Sequence, residues 1–131
     1  MLTGGYVTVY VSDMDRAVKF YSEILGLRLA ERYGNHWASV DAGGGLRIGL
    51  HPASAQNPAG HRGSIAIGFG ADGPIERVVE ELEKRGVQLE SGIVNDNAGK
   101  FVSFSDPEGN ACYIYELHAQ YQPKPVSADA R

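Results

Sequence analysis

The sequence predicts an α+β fold made of one βαβββ unit repeated twice, and three observations carry that prediction. Asp15-Arg16-Ala17-Val18 parallels Glu76-Arg77-Val78-Val79, and Leu25-Gly26-Leu27-Arg28-Leu29 parallels Arg85-Gly86-Val87-Gln88-Leu89, both at an offset of about 60 residues, close to half the chain. Each half runs from an alternating strand pattern into a helical one and back to strands. The second half closes on Ser103-Phe104-Ser105-Asp106-Pro107-Glu108-Gly109-Asn110. There Pro107 presets φ, Asp106 accepts a backbone hydrogen bond and Gly109-Asn110 tolerates positive φ, so a tight turn joins two strands.

In module one, residues 4–51, the run Tyr6-Val7-Thr8-Val9-Tyr10-Val11 has the period of a strand. Ser12 and Asp13 offer N-cap oxygens, apolar residues recur at Met14, Ala17, Val18, Tyr21 and Leu25 at helical spacing, and Gly26 ends the helix. Strands are predicted over 28–32, 36–40 and 46–51, with Asn35 and Gly43-Gly44-Gly45 in the turns. Residues 52–62, rich in Pro, Ala, Gly and Asn and without periodicity, read as a linker. Module two, residues 63–117, begins again with a strand over 64–69. A helix starts at Pro74, carries Ile75, Val78, Val79 and Leu82 on one face and stops at Gly86, and strands follow over 87–89, 99–105 and 110–117. Residues 1–117 thus form a single domain, and 118–131, with two prolines and few apolar residues, read as a flexible tail.

Composition narrows the function. The chain has 131 residues, 43% apolar and 21% charged, as ordinary globular domains do. A formal net charge of -4 with no Lys/Arg cluster argues against nucleic acid as a partner. Cys112 is the single cysteine, which excludes an intrachain disulfide and a thiolate metal cluster. Met1-Leu2-Thr3-Gly4-Gly5 lacks a basic and apolar leader and no apolar run reaches spanning length, so a cytoplasmic protein with no membrane partner is expected. There is no Gly-x-Ser-x-Gly elbow, and Gly43-Gly44-Gly45 lacks the Lys-Ser/Thr of a phosphate loop.

Repeat, element order and the Asp-Pro-Glu-Gly-Asn turn near the end of a chain of this size together resemble the vicinal oxygen chelate superfamily. It contains glyoxalase I, extradiol dioxygenases, fosfomycin resistance proteins and bleomycin resistance proteins. The likeness spans about residues 4–117. It implies a cup-shaped mixed sheet around a ligand with the helices on its convex face, and, since members often pair modules between chains, a homodimer.

If helices cover the convex face, Val7, Val9 and Val11, Leu46, Ile48 and Leu50, Ile65, Ile67 and Phe69, and Cys112 and Ile114 are core. The alternate residues then line the cup. Tyr6, Thr8, Tyr10, Arg47, Gly49 and His51 come from module one, and Ser64, Ala66, Gly68, Tyr113 and Tyr115 from module two. By the same alternation Trp37 and Ser39 correspond to Phe101 and Ser103, and Trp37 and Phe101 are expected to face each other's module across the mouth and clamp a planar ligand. In metal-dependent members of the family four His or Glu positions hold a divalent ion, and here they fall on Tyr6, Gly49, Ser64 and Tyr113, none a usual ligand. No metal site and no cofactor are therefore expected. A shift of register would promote His51 or Glu116, but Glu116 has the wrong parity for the cup and His51 would stand alone.

The resemblance then implies a metal-free small-molecule-binding protein of the glyoxalase/bleomycin resistance type, acting in antibiotic resistance by sequestration. An aromatic or cationic organic ligand would stack on Trp37, Phe101, Tyr6 and Tyr113. The alternatives are a lyase or dioxygenase-like enzyme with a non-standard or absent metal site, using tyrosine and His51 as acid/base groups, and a regulatory subunit with a vestigial cup. No catalytic residue is assigned, and no motif names the ligand.

Overall fold

The structure, a computed structural model, describes residues 1, 5–60 and 65–121. Module one contributes β1 (Val7–Val11), α1 (Met14–Val18) continued as a π-helix over Lys19–Ile24, β2 (Arg28–Tyr33), β3 (Trp37–Gly43) and β4 (Leu46–Pro52). Module two contributes β5 (Ile67–Gly70), α2 (Ile75–Lys84), β6 (Val94–Asn95), β7 (Gly99–Ser105) and β8 (Ala111–Leu117). The sheets have the same topology, β1-β4-β3-β2 and β5-β8-β7-β6. In each the first strand joins the last in parallel and the other pairs are antiparallel. The α+β duplication expected from the sequence is the observed fold.

Local chemistry accounts for the elements. Asp13 caps α1 by accepting from the Arg16 N–H at 3.0 Å. The following π turn, closed by the Leu25 N–H donating to Phe20 O at 2.9 Å, lets the neighbours Phe20 and Tyr21 both bury their rings. At the start of α2 the Ile75 N–H donates to Glu116 Oε1 at 2.8 Å, so a carboxylate satisfies a free donor at the positive end of the helix.

Helices and sheets share one core. Val9, Val11, Ala38, Val40, Ile48 and Leu50 of the first sheet, and Ile67, Val102, Phe104, Cys112 and Ile114 of the second, bury against α1, its π turn and α2. The contacts between modules run through this side: Phe20 lies 6.4 Å from Phe104, and Arg85 Nη1 donates to Ile24 O at 3.0 Å. Each sheet therefore turns its apolar face to this core and its other face away from it.

The Asp-Pro-Glu-Gly-Asn turn does more than reverse the chain. Asp106, 5% exposed, accepts from the Glu108 and Asn110 N–H groups, from Asn110 Nδ2 and, across the modules, from the Tyr21 hydroxyl at 2.7 Å. Glu108 accepts from the Ser12 N–H and hydroxyl, both at 2.8 Å, and pairs with Arg16 at 3.0 Å. Gly60 packs against the same turn: a Cβ there would lie 2.2 Å from Glu108 O, and its φ of +74° suits glycine alone. Two carboxylates and the end of the linker thus fasten module one to the second hairpin.

Three expectations need correction. The segment 87–89 is not a strand; Leu89 makes a single bridge to Phe104, and the outer strand of the second sheet is the two-residue β6 instead. Val7 and Ile65 are 38% and 69% exposed, because they precede the part of each strand that the helices cover. The tail begins ordered, with the His118 N–H donating to Ala98 O at 2.8 Å and a 3-10 turn over Ala119–Tyr121; residues 122–131 lie outside the described ones, as do His61 and Ser64. Trp37 and Phe101 each lie on the face of their own sheet that is turned away from the core.

Candidate functional site

On the outward face of the first sheet the register aligns Glu31, Ser39, Gly49 and Thr8 in one row and Tyr33 with Trp37 in the next. Gly49 is the key to this face. A Cβ there would sit 2.3 Å from Trp37 Cη2, so the indole lies flat on the glycine. Tyr6 reaches in from β1 and meets the indole edge-on, ring centroids 5.4 Å apart at 87°. His51 approaches Trp37 at 6.4 Å and Tyr10 at 5.6 Å, while its Nδ1 lies 2.8 Å from Pro52 O.

The polar ends of Tyr6 and Trp37 meet at Glu31, a residue that alternation places on the helix side. Leu29 pairs with Val40 and Glu31 with Ser39, so two steps along β2 match one step along β3 and Ala30 is the extra residue of a β-bulge. The bulge turns the Glu31 side chain to the outward face. Its Oε1 accepts from the Tyr6 hydroxyl at 2.9 Å and from the Ser39 hydroxyl, fully buried, at 2.8 Å. These bonds, Ser39 first and Tyr6 second, with smaller effects of the Trp37 indole and the Arg47 charge, hold the carboxyl below the usual carboxylate range. Arg47 itself is exposed and lies opposite Asp41, which Arg28 engages at 3.0 Å. Thr8 and Tyr10 continue the face along β1.

The outward face of the second sheet is built by the same device with different residues. Tyr113 lies over Gly68, where a Cβ would be 2.3 Å from the ring, and Tyr115 over Gly70 at 3.3 Å. Phe101 stands 6.5 Å from Tyr113, and Tyr113 stands 6.1 Å from Tyr115. Ser103 pairs with Tyr113 and is exposed. A cavity of about 460 Å³, lined by Leu25, Leu46, Val78, Leu82, Phe104 and Ile114, reaches Gly68, Gly70 and Tyr115 of this sheet. It belongs chiefly to the helix side, away from Trp37 and Glu31.

The positions that hold a divalent ion in metal-dependent relatives do not fit one here. Tyr6 donates its hydroxyl to Glu31, Gly49 has no side chain and lies beneath an indole, and Tyr113 lies over Gly68. Among the described residues no group of three or more His, Cys, Asp or Glu side chains is placed to hold a metal ion. Glu116 is occupied at the start of α2 and His118 lies 3.2 Å from Asp96 O, while Cys112 is buried in the core. No helix of the described residues is long and apolar enough to cross a membrane.

Known proteins agree with this architecture. TnmS3, an antibiotic binding protein from Streptomyces sp. CB03234, is 28% identical, with a TM-score of 0.74 over 90% of this chain and 98% of its own. A glyoxalase/bleomycin resistance protein from the same organism is 29% identical, with a TM-score of 0.71 over 87% of this chain and 100% of its own. A virulence protein of Salmonella typhimurium is 29% identical, covering 83% of this chain and 80% of its own length. A profile of the family matches residues 4–113, and with the duplicated fold on the page the conclusion is direct: the chain belongs to the Glyoxalase/Bleomycin resistance protein/Dioxygenase superfamily.

Proposed function

We propose that this protein binds a small organic molecule with a planar aromatic portion, without metal chemistry, in a cup completed by a second copy of the chain. The observation that carries the reading is the Trp37 indole lying across Gly49, a position where metal-dependent relatives place a ligand. An aromatic platform stands where a donor would be needed. The second outward face offers three further rings, Phe101, Tyr113 and Tyr115, and stacking between such surfaces is the usual way to hold a planar ligand. The likeness to an antibiotic binding protein supports an antibiotic as the ligand class and sequestration as the mode of action.

A homodimer is part of this proposal. In this reading the cup sets module one of one copy opposite module two of another, as members of the family often do. β1 and β5 are edge strands, flanked by the exposed Val7 and Ile65, and edge strands of that kind favour pairing with another chain. The reading is tested by light scattering together with titration of the Trp37 fluorescence, the chain having one tryptophan. A mass of twice 14.1 kDa and saturable quenching by planar aromatic antibiotics, on protein with far less than one equivalent of transition metal, are expected. A monomer, or stoichiometric metal whose removal abolishes binding, removes it.

A further inference from the structure

We infer that Glu31 anchors a cation subsite on the module-one face, taking an ammonium or guanidinium group carried by a planar organic ligand. The inference deepens the ligand-binding reading and rests on it. Four features of the geometry carry it. The bulge at Ala30 spends a ladder position to bring this one carboxylate to the outward face, whereas a regular strand would turn it to the side of Leu29. The groups that hold it, Tyr6, Ser39 and the Trp37 indole, are neutral. They fix its position without cancelling its charge.

The third feature is the missing counter-ion. Among the described residues Asp15, Asp41, Glu76 and Glu108 each pair with a lysine or arginine, but no cation pairs with Glu31, and Arg47 acts on it only at longer range. A carboxylate has about four acceptor sites, and Tyr6 and Ser39 both bond to Oε1. Room for a charged donor remains. The fourth feature is its aromatic neighbourhood, with Trp37 and Tyr6 in edge contact beside it and the exposed Tyr33 paired with Trp37. A carboxylate among aromatic faces suits an organic cation, which gains a charge-assisted hydrogen bond and cation–π attraction together. A carboxyl held below its ordinary range is a poor proton acceptor near neutral pH, which fits an anchor better than a general base.

The test compares two dyes of like shape on wild type, Glu31→Gln and Trp37→Phe by titration calorimetry at pH 7: proflavine, a cation, and acridone, which is neutral. Circular dichroism establishes that each variant is folded. Glu31→Gln keeps an oxygen for Tyr6 and Ser39, so a loss of about ten- to hundredfold in proflavine affinity with acridone unchanged is expected. Trp37→Phe should weaken both dyes. If wild type binds both dyes and Glu31→Gln leaves proflavine unaffected, or weakens both equally, the cation subsite is wrong while the aromatic face stands. If wild type binds neither, the ligand-binding reading fails and the subsite with it.

Discussion

Gly49→Ala tests the floor of the module-one face. A Cβ at this position would lie 2.3 Å from Cη2 of Trp37 and 3.0 Å from Cζ2 and Cζ3, whereas packed carbon atoms rest at about 3.5–4.0 Å, so the indole must withdraw by more than about 1 Å. Withdrawal breaks the edge contact with Tyr6, worth about 0.5–1.5 kcal/mol, and uncovers the buried Ser39 hydroxyl beside it. Overpacking of this kind costs about 1–3 kcal/mol. Against that, Gly49 lies in β4 with no left-handed φ, and alanine is better than glycine in a strand by about 0.5–1 kcal/mol. The balance is a net loss of about 1–2 kcal/mol in wild type. In a Trp37→Ala background there is no ring to meet, and the same change should be neutral or slightly stabilising. Urea unfolding followed by far-ultraviolet circular dichroism, which does not depend on the tryptophan, measures the four proteins and should return a coupling of about 1–3 kcal/mol. Equal costs in both backgrounds would refute the indole-on-glycine account.

Two further outcomes follow from the lock between modules. Tyr21→Phe keeps the buried ring but removes the donor to Asp106, and should destabilise by about 1.5–3 kcal/mol; burial and the Asp106 charge push the Tyr21 hydroxyl well above its usual range, so it remains a donor under all ordinary conditions. The Ser12 bonds and the Arg16 charge hold the Glu108 carboxyl below its usual value of 4.5, against the opposing effect of its burial. The sign is that of a depressed acid: its contribution is present above pH 4.5, the unfolded value, and is lost as pH falls through the lower folded value. Glu108→Gln should flatten that limb of a melting-temperature profile, and an unchanged profile would count against the ion pair. For the site, Trp37→Ala should weaken acridone binding by about 1–3 kcal/mol while costing less stability than the roughly 3–5 kcal/mol of a core aromatic, since the ring is only half-buried.

Much of this molecule is legible in the sequence because period and punctuation are local. The alternation of β1, the caps of α1, the Gly26 and Gly86 stops and the duplicated order of elements all come from residues within a turn or a strand of one another. What is not legible depends on registration. Glu31 shares the parity of Leu29, and only the extra residue Ala30, visible once β2 is paired with β3, moves it to the face of Trp37. The segment 87–89 has strand composition but one bridging partner, because the outer strand of the second sheet forms at Val94–Asn95. Parity also places Trp37 and Phe101 on the face of each sheet away from the core, but parity does not say how the two sheets stand to one another.

The turn that first marks the family in the sequence also connects fold to function. As a hairpin, Asp106-Pro107-Glu108-Gly109-Asn110 would need only its internal bonds. Here Asp106 also takes the Tyr21 hydroxyl, and Glu108 takes Ser12 and Arg16, so the turn cannot rearrange without releasing α1. The orientation of one module on the other is thereby set by charge-assisted bonds, that of Tyr21 to Asp106 buried, rather than by apolar contact alone. That orientation fixes where the two aromatic faces point, and a two-fold assembly of identical chains can bring unlike faces together only if every copy holds the same angle between them. In the proposed dimer the carboxylates of the turn would thus act on the ligand cup at a distance, by keeping the face of Trp37 and the face of Tyr113 in a constant relation.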